Sequence, residues 1–126
     1  MAVPLLHLMG MKHILVADDN IGMTALVARA LPGYQITTAH NGLEALVLAR
    51  TLPRCDLLIT DYVMPSFNGE EVAARLRVHR PSVKTLLMTG HGPFVHPSAD
   101  ATDDQLCKPF APSALREKVK QLIGAA

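Results

Sequence analysis

The sequence has 126 residues, which is room for one domain and not for a second DNA-binding or catalytic module within this chain. A composition 49% hydrophobic and 18% charged can build a core and is not that of a disordered chain. Twelve basic residues against eleven acidic ones leave a net charge of +1, which excludes a protein that holds nucleic acid by bulk electrostatics.

The opening stretch from Met1 to Met11 is apolar but interrupted by Pro4, His7 and Gly10. It lacks a basic start and falls short of the ~20 apolar residues that span a bilayer. Met11-Lys12-His13-Ile14-Leu15-Val16 reads as a domain whose first element is a strand, so residues 1–10 are expected to be an N-terminal extension and residues 11–126 the domain. An ordered arm packed on the domain is the alternative. Cys55 and Cys107 cannot make a disulfide framework and fit a reducing cytoplasm.

Ile14 to Ala17 is a run of the buried-strand type, ending at Asp18-Asp19-Asn20. Met23, Leu26, Val27, Ala30 and Leu31 then follow helical spacing, with Asn20 as cap and Pro32-Gly33 as stop. Tyr34 to Ala39 is the second strand. Asn41 and Glu44 begin a helix in the manner of a capping box, and Pro53 ends it after Leu52. Asp56 to Thr60 is the third strand, before Asp61. Asn68 and Glu71 repeat the cap for a helix reaching Arg80. Val83 to Met88 is the fourth strand, before Thr89-Gly90, and Leu106-Cys107 a short fifth, before Lys108-Pro109. Pro112 suits a first helical turn, and Leu115, Val119, Leu122 and Ile123 form a stripe up to Gly124. Alternation of this kind means an α/β fold, a doubly wound parallel sheet with helices on both faces. The strands are apolar runs rather than alternating patterns, as suits burial on both faces.

His91 to Asp104 breaks the regularity. It holds Pro93 and Pro97 and no apolar face of period 3.6. The helix due between the fourth and fifth strands is expected to be short, missing or disordered; an ordinary short helix beginning near Pro97-Ser98 is the alternative.

Ligands of doubly wound sheets bind at the carboxyl ends of the strands. Asp18 and Asp19, Asp61, Thr89 and Lys108 all sit at such ends. Three carboxylates in one crevice raise each other's pKa unless a cation compensates. A hard divalent ion with oxygen ligands, Mg²⁺, suits such a partial site. With Lys108 and the Thr89 hydroxyl it could hold a tetrahedral anion such as phosphate, for which the Asp61 carboxylate is a nucleophile. Singly, each residue also reads as loop, cap or surface.

In this order the pieces Ile14-Leu15-Val16-Ala17-Asp18-Asp19-Asn20, Asn41-Gly42-Leu43-Glu44-Ala45-Leu46, Asp61-Tyr62-Val63-Met64-Pro65 with Gly69, Leu86-Leu87-Met88-Thr89-Gly90 and Lys108-Pro109-Phe110 resemble the receiver domain of two-component response regulators. The resemblance implies a flavodoxin-like sheet of order 2-1-3-4-5. It implies Asp61 as phospho-acceptor from a histidine kinase, with Asp19 a direct Mg²⁺ ligand, Asp18 acting largely through water, and Asp61 and the Val63 backbone carbonyl completing the protein ligands. Thr89 would be the switch hydroxyl, Lys108 the phosphoryl-binding cation ahead of a cis Lys108–Pro109 bond, and Gly90 the small residue that leaves the phosphate accessible. The chain would then be a cytoplasmic signalling protein of a phosphorelay, no enzyme beyond its own phosphorylation and dephosphorylation. It would touch a histidine kinase or phosphotransferase and a downstream protein target, but neither DNA nor membrane.

Two departures stand out. Gln105 replaces the aromatic residue that would rotate with Thr89, and Thr89 and Lys108 are only 19 residues apart. An order–disorder change in His91–Asp104 is the expected substitute for that coupling. The first helix turns Ile21, Gly22, Ala25 and Ala28 outward, with Arg29 its only charge, and such an apolar face is where the kinase would dock; scattered surface alanines are the alternative there. Two other functions compete. One is a receiver-like scaffold that is never phosphorylated. The other is an aspartyl phosphatase of the haloacid dehalogenase type, which wants a second carboxylate where Val63 stands. His91, His96 and Cys107 match no metal-ligand spacing.

Overall fold

A computed structural model describes residues 10–90 and 102–126 of the chain. Strands β1 (His13–Ala17), β2 (Gln35–Ala39), β3 (Leu57–Asp61), β4 (Lys84–Thr89) and β5 (Asp104–Cys107) form one parallel sheet in the order β2-β1-β3-β4-β5. Helices α1 (Ile21–Ala30), α2 (Gly42–Thr51), α3 (Gly69–His79) and α4 (Pro112–Ile123) connect or follow the strands.

The central strands are apolar on both faces because both faces are covered. Leu15, Ala17 and Leu58 point to one side and pack with Ala45 and Ala49 of α2 and Val72, Ala73 and Leu76 of α3. Ile14, Val16, Ile59, Leu86 and Met88 point to the other and pack with Val27 and Leu31 of the first crossover and Leu115 and Val119 of α4. The period-2 geometry of a strand sends neighbours to opposite faces, so each five-residue run feeds two cores.

Caps start three helices where the sequence places them. Asn20, Asn41 and Asn68 accept from the backbone N–H of Met23, Glu44 and Glu71. Asn68 and Glu71 form the full reciprocal box. Arg80, at the end of α3, donates to the carbonyls of Ala49 and Leu52 and so satisfies the last turn of α2.

Two expectations need correction. Leu26 is 38% exposed rather than a core residue, while Thr24 is buried. The buried stripe of α1 is Thr24, Val27 and Ala30, rotated off the apolar one. Thr24 tolerates burial because its hydroxyl donates to the Ile21 carbonyl and meets His40 Nε2 at 3.2 Å. Strand β5 starts at Asp104, two residues earlier than its apolar pair suggests. The preceding acids can sit at a sheet edge because each is partnered: Asp103 accepts from Thr85 N and Arg77, and Asp104 from Lys118. The unsettled helix between β4 and β5 falls on residues 91–101, and most of the N-terminal extension on residues 1–9; both lie outside the described residues.

Candidate phosphoryl-acceptor site at the carboxyl end of the sheet

Parallel strands end together, and β1, β3, β4 and β5 end at Asp18, Asp61, Thr89 and Lys108 or just before them. Asp18 follows β1 and is held by its own backbone N–H to the Ala39 carbonyl (3.0 Å). Its Oδ1 accepts from Asn20 N at 2.9 Å, so the turn that caps α1 also orients this carboxylate. The side chain is only 1% exposed. Asp61 closes β3, its Oδ1 accepting from Tyr62 N at 3.0 Å. Thr89 is buried at the end of β4, one residue past Met88, the register partner of Asp61. Its carbonyl accepts from Lys108 N at 2.7 Å, which delivers Lys108 to the site just past β5. The Lys108–Pro109 peptide is cis.

Lys108 Nζ lies 2.7 Å from Asp18 Oδ2 and 3.3 Å from Asp61 Oδ1. Ligand-type oxygens of Asp18, Asp19 and Asp61 all lie within 4.8 Å of one another, an arrangement that could hold a metal ion. Asp19 is exposed and forms the outer wall. One ammonium against three carboxylates leaves the cluster net negative. Burial, then the charge of Asp18, pushes the Asp61 carboxyl above its ordinary range, and Lys108 only partly reverses this. At Lys108 burial works to lower the ammonium, but the hydrogen bond and charge of Asp18, followed by those of Asp61, outweigh it and raise the group.

The loop between β3 and α3 shapes the rim. Phe67 N donates to the Pro65 carbonyl around Ser66, whose φ of 75° makes this a γ-turn on a non-glycine residue. Gly69 N donates to the Tyr62 carbonyl at 2.8 Å. A Cβ at Gly69 would collide with the Asp61 carbonyl oxygen and come within 2.8 Å of Leu87 Cδ1, so only glycine lets α3 start against the back of Asp61. Gly42 has the same role for α2, where a Cβ would meet the Phe67 carbonyl oxygen at 2.5 Å.

The other residues singled out by their place in the sequence fall around this cluster. Val63 is 69% exposed in the turn after Asp61. Gly90 is exposed, and a Cβ there meets no atom within 4 Å. Gln105 is exposed in β5, in register with Leu87 and so two rungs below Thr89. Ile21, Gly22 and Ala25 are exposed on α1, Ile21 at 70%, whereas Ala28 is half-buried and Leu26 joins the exposed side in its place. One bridge beside the site is passed over by the sequence reading. His40 lies between Thr24 of α1 and Glu44 of α2, its Nδ1 4.0 Å from Glu44 Oε1. Only the Glu44 half, an i,i+4 pair, could have been found from spacing.

The family model of the response regulator receiver domain matches residues 14–120. The response regulator receiver protein CpdR of Brucella abortus is 35% identical over 121 residues, covering 92% of this chain and 100% of that protein. Sporulation initiation phosphotransferase F of Bacillus subtilis is 30% identical over 117 residues, 89% of this chain and 94% of that protein. The chain spans about half the length of other curated relatives it matches. Among solved structures, the response regulator TrrA of Thermotoga maritima, in complex with Mg²⁺ and BeF, superposes with a TM-score of 0.80 at 38% identity, covering 89% of this chain and 99% of that one. The sheet order, the carboxylate cluster and these matches agree: the chain belongs to the response regulator receiver domain family.

Proposed function

We propose that this chain is a phospho-acceptor of a phosphorelay, taking a phosphoryl group on Asp61 from the phosphohistidine of a histidine kinase or phosphotransferase and signalling by protein contact. The observation that carries this is the convergence of Asp18, Asp19 and Asp61 with Lys108 Nζ 3.3 Å from the Asp61 carboxylate. An Asp61 oxygen attacks phosphorus, the P–N bond to the donor imidazole breaks, and its electron pair stays on the imidazole nitrogen. The product is an acyl phosphate on Asp61. The desolvation that raises Asp61 also keeps its carboxylate basic, hence nucleophilic.

Three carboxylates are a hard donor set that fits Mg²⁺ with retained waters. Asp19 and Asp61 would hold it directly, Asp18 largely through water, and the Val63 carbonyl would add an oxygen. Bound there, the ion would neutralise charge on the transferring phosphoryl oxygens. Lys108 would leave Asp61 for a phosphoryl oxygen while keeping Asp18, so its raised ammonium stays charged throughout. The Thr89 hydroxyl is the hydrogen-bond donor of the phosphorylated state, and the open space at Gly90 admits the donor. Free Cys55 and Cys107 support a cytoplasmic setting. Residues 11–126 are the receiver and residues 1–10 an extension to it.

Incubation with Mg²⁺ and acetyl phosphate should add one phosphate by intact mass, and Asp61→Asn should abolish it. No adduct, or one that survives Asp61→Asn, sinks the reading in favour of an unphosphorylated scaffold. Ile21→Glu or Ala25→Glu should slow transfer from the kinase and leave acetyl phosphate labelling unchanged; equal slowing of both would refute docking on α1.

A further inference from the structure

Six large hydrophobic side chains are exposed among the described residues. Ile21, Leu43 (56%) and Val63 lie in first turns or loops at the carboxyl end of the sheet, and Leu26 lies midway along α1. Val47 (54%) on α2 and Val78 (76%) on α3 are further from that end. On α2 the spacing Leu43, Leu46, Val47, Arg50 makes one stripe, and on α3 Arg75, Val78 and His79 make another. Between them runs a trough of about 280 Å³ floored by Ala49 and Leu76.

The charge on this trough has one sign. Its polar walls are Arg50, Arg75 and His79, with no carboxylate. Arg75 lies over the Phe67 ring at 4.3 Å, which fixes its guanidinium without neutralising it. Neither Arg50 nor Arg75 has an ion pair among the described residues. The carbonyls that end α2, which could have attracted them, are already taken by Arg80. The trough lies along the last turns of both helices, away from the strand ends that carry Asp18 and Asp61.

We propose that the trough between α2 and α3 docks an amphipathic helix of a partner protein whose apolar face is flanked by carboxylates. An apolar floor between two helices, walled by unpaired guanidinium groups, is complementary in shape and charge to such a helix. A second copy of this chain is a poorer occupant, since a two-fold contact would set Arg50 and Arg75 against their own copies. Two guanidinium groups beside exposed valine and leucine are also no phosphate-tracking groove. The surface is independent of the phosphoryl site, so the chain could hold one partner at α1 and another here.

The test is an NMR titration of the full chain with three synthetic helical peptides that share one leucine face, flanked by Glu, Gln or Lys. Amide shifts should centre on residues 46–50 and 75–79, with the Glu peptide roughly three- to tenfold tighter than the Lys peptide at low salt. Arg50→Glu with Arg75→Glu should reverse that order, Val78→Asp should weaken all three peptides, and Asp61→Asn should change nothing. All four positions are surface or site residues, and a far-UV spectrum checks that each variant is folded. Equal affinity for the Glu and Lys peptides overturns the proposal. So do shifts centred on α1 or the strand ends, or a concentration-dependent dimer that Val78→Asp dissolves.

Discussion

The two ends of this sheet use the same kinds of side chain in opposite ways. At the amino end, cations and hydroxyls meet neutral carbonyls. Lys12 Nζ donates to Ile123 O (2.5 Å) and Ala125 O (3.1 Å), Tyr34 to Gly124 O, and Arg80 to two carbonyls of α2. The carboxylates described there are each matched: Asp56 accepts from His13 N and Arg54, Asp103 from Thr85 N and Arg77, and Asp104 from Lys118. At the carboxyl end three carboxylates face one ammonium, and Asp61 is raised by burial and by Asp18. Backbone strain follows the same divide. Among the described residues, the positive φ angles at the amino end fall on Gly33 and Gly124, while the one at the carboxyl end falls on Ser66. One end closes the fold with matched partners, and the other keeps excess negative charge beside a left-handed serine.

The largest way to break this contrast is at Gly69. Gly69→Ala forces α3 off the Asp61 carbonyl and should cost about 3 kcal/mol or more in urea denaturation. A cost near zero would mean the close approach is not needed. Next come the two lysines. Lys108→Met leaves Asp18 buried and charged without its partner, and should cost about 2–4 kcal/mol. Lys12→Met leaves only carbonyls near solvent and should cost about 1 kcal/mol. Equal costs would erase the distinction between the ends.

Asp61 sharpens the comparison through pH. Its carboxyl holds its proton more tightly folded than unfolded. Its stabilising contribution is therefore complete below about pH 4 and is lost as pH rises through the raised folded value. Metal-free Asp61→Asn should then melt above wild type at pH 7, by ~2–4 °C, with the gap closing as pH falls toward 4. A gap that is absent at pH 7, or the same at every pH, would show the cluster carries no repulsion. Mg²⁺ should raise the wild-type melting temperature more than that of Asp61→Asn. The smallest effect belongs to Ser66→Gly, which removes the cost of a left-handed serine and should stabilise by about 0.5–1 kcal/mol despite the added freedom of the unfolded chain. A destabilised variant would mean the serine side chain does more there than its backbone costs.

Where local signals were strong, they were enough to locate elements. The Asn caps and the apolar β1, β3 and β4 runs can be read residue by residue, because caps and buried strands are decided within a few positions. The misplacements came where a neighbour overrides spacing. Thr24 is buried where Leu26 is exposed, and the threonine tolerates it because the Ile21 carbonyl and His40 satisfy its hydroxyl. Strand β5 begins among acids because Arg77 and Lys118 reach them from two other helices. At the site, the five polar strand-end residues are legible in order, but that Lys108 pairs more closely with Asp18 than with Asp61 is not.

By itself the sequence determined the alternation of elements, and with it a parallel sheet whose polar residues gather at strand ends. Those features depend on periodicity and on the chain reversing direction at known stops. Only the tertiary structure decided how charge is shared among Asp18, Asp61 and Lys108, and why Gly69 has to be glycine. It also decided that Arg50 and Arg75 wall a common trough. Each of these is a distance across the folded core or surface, which no local pattern encodes.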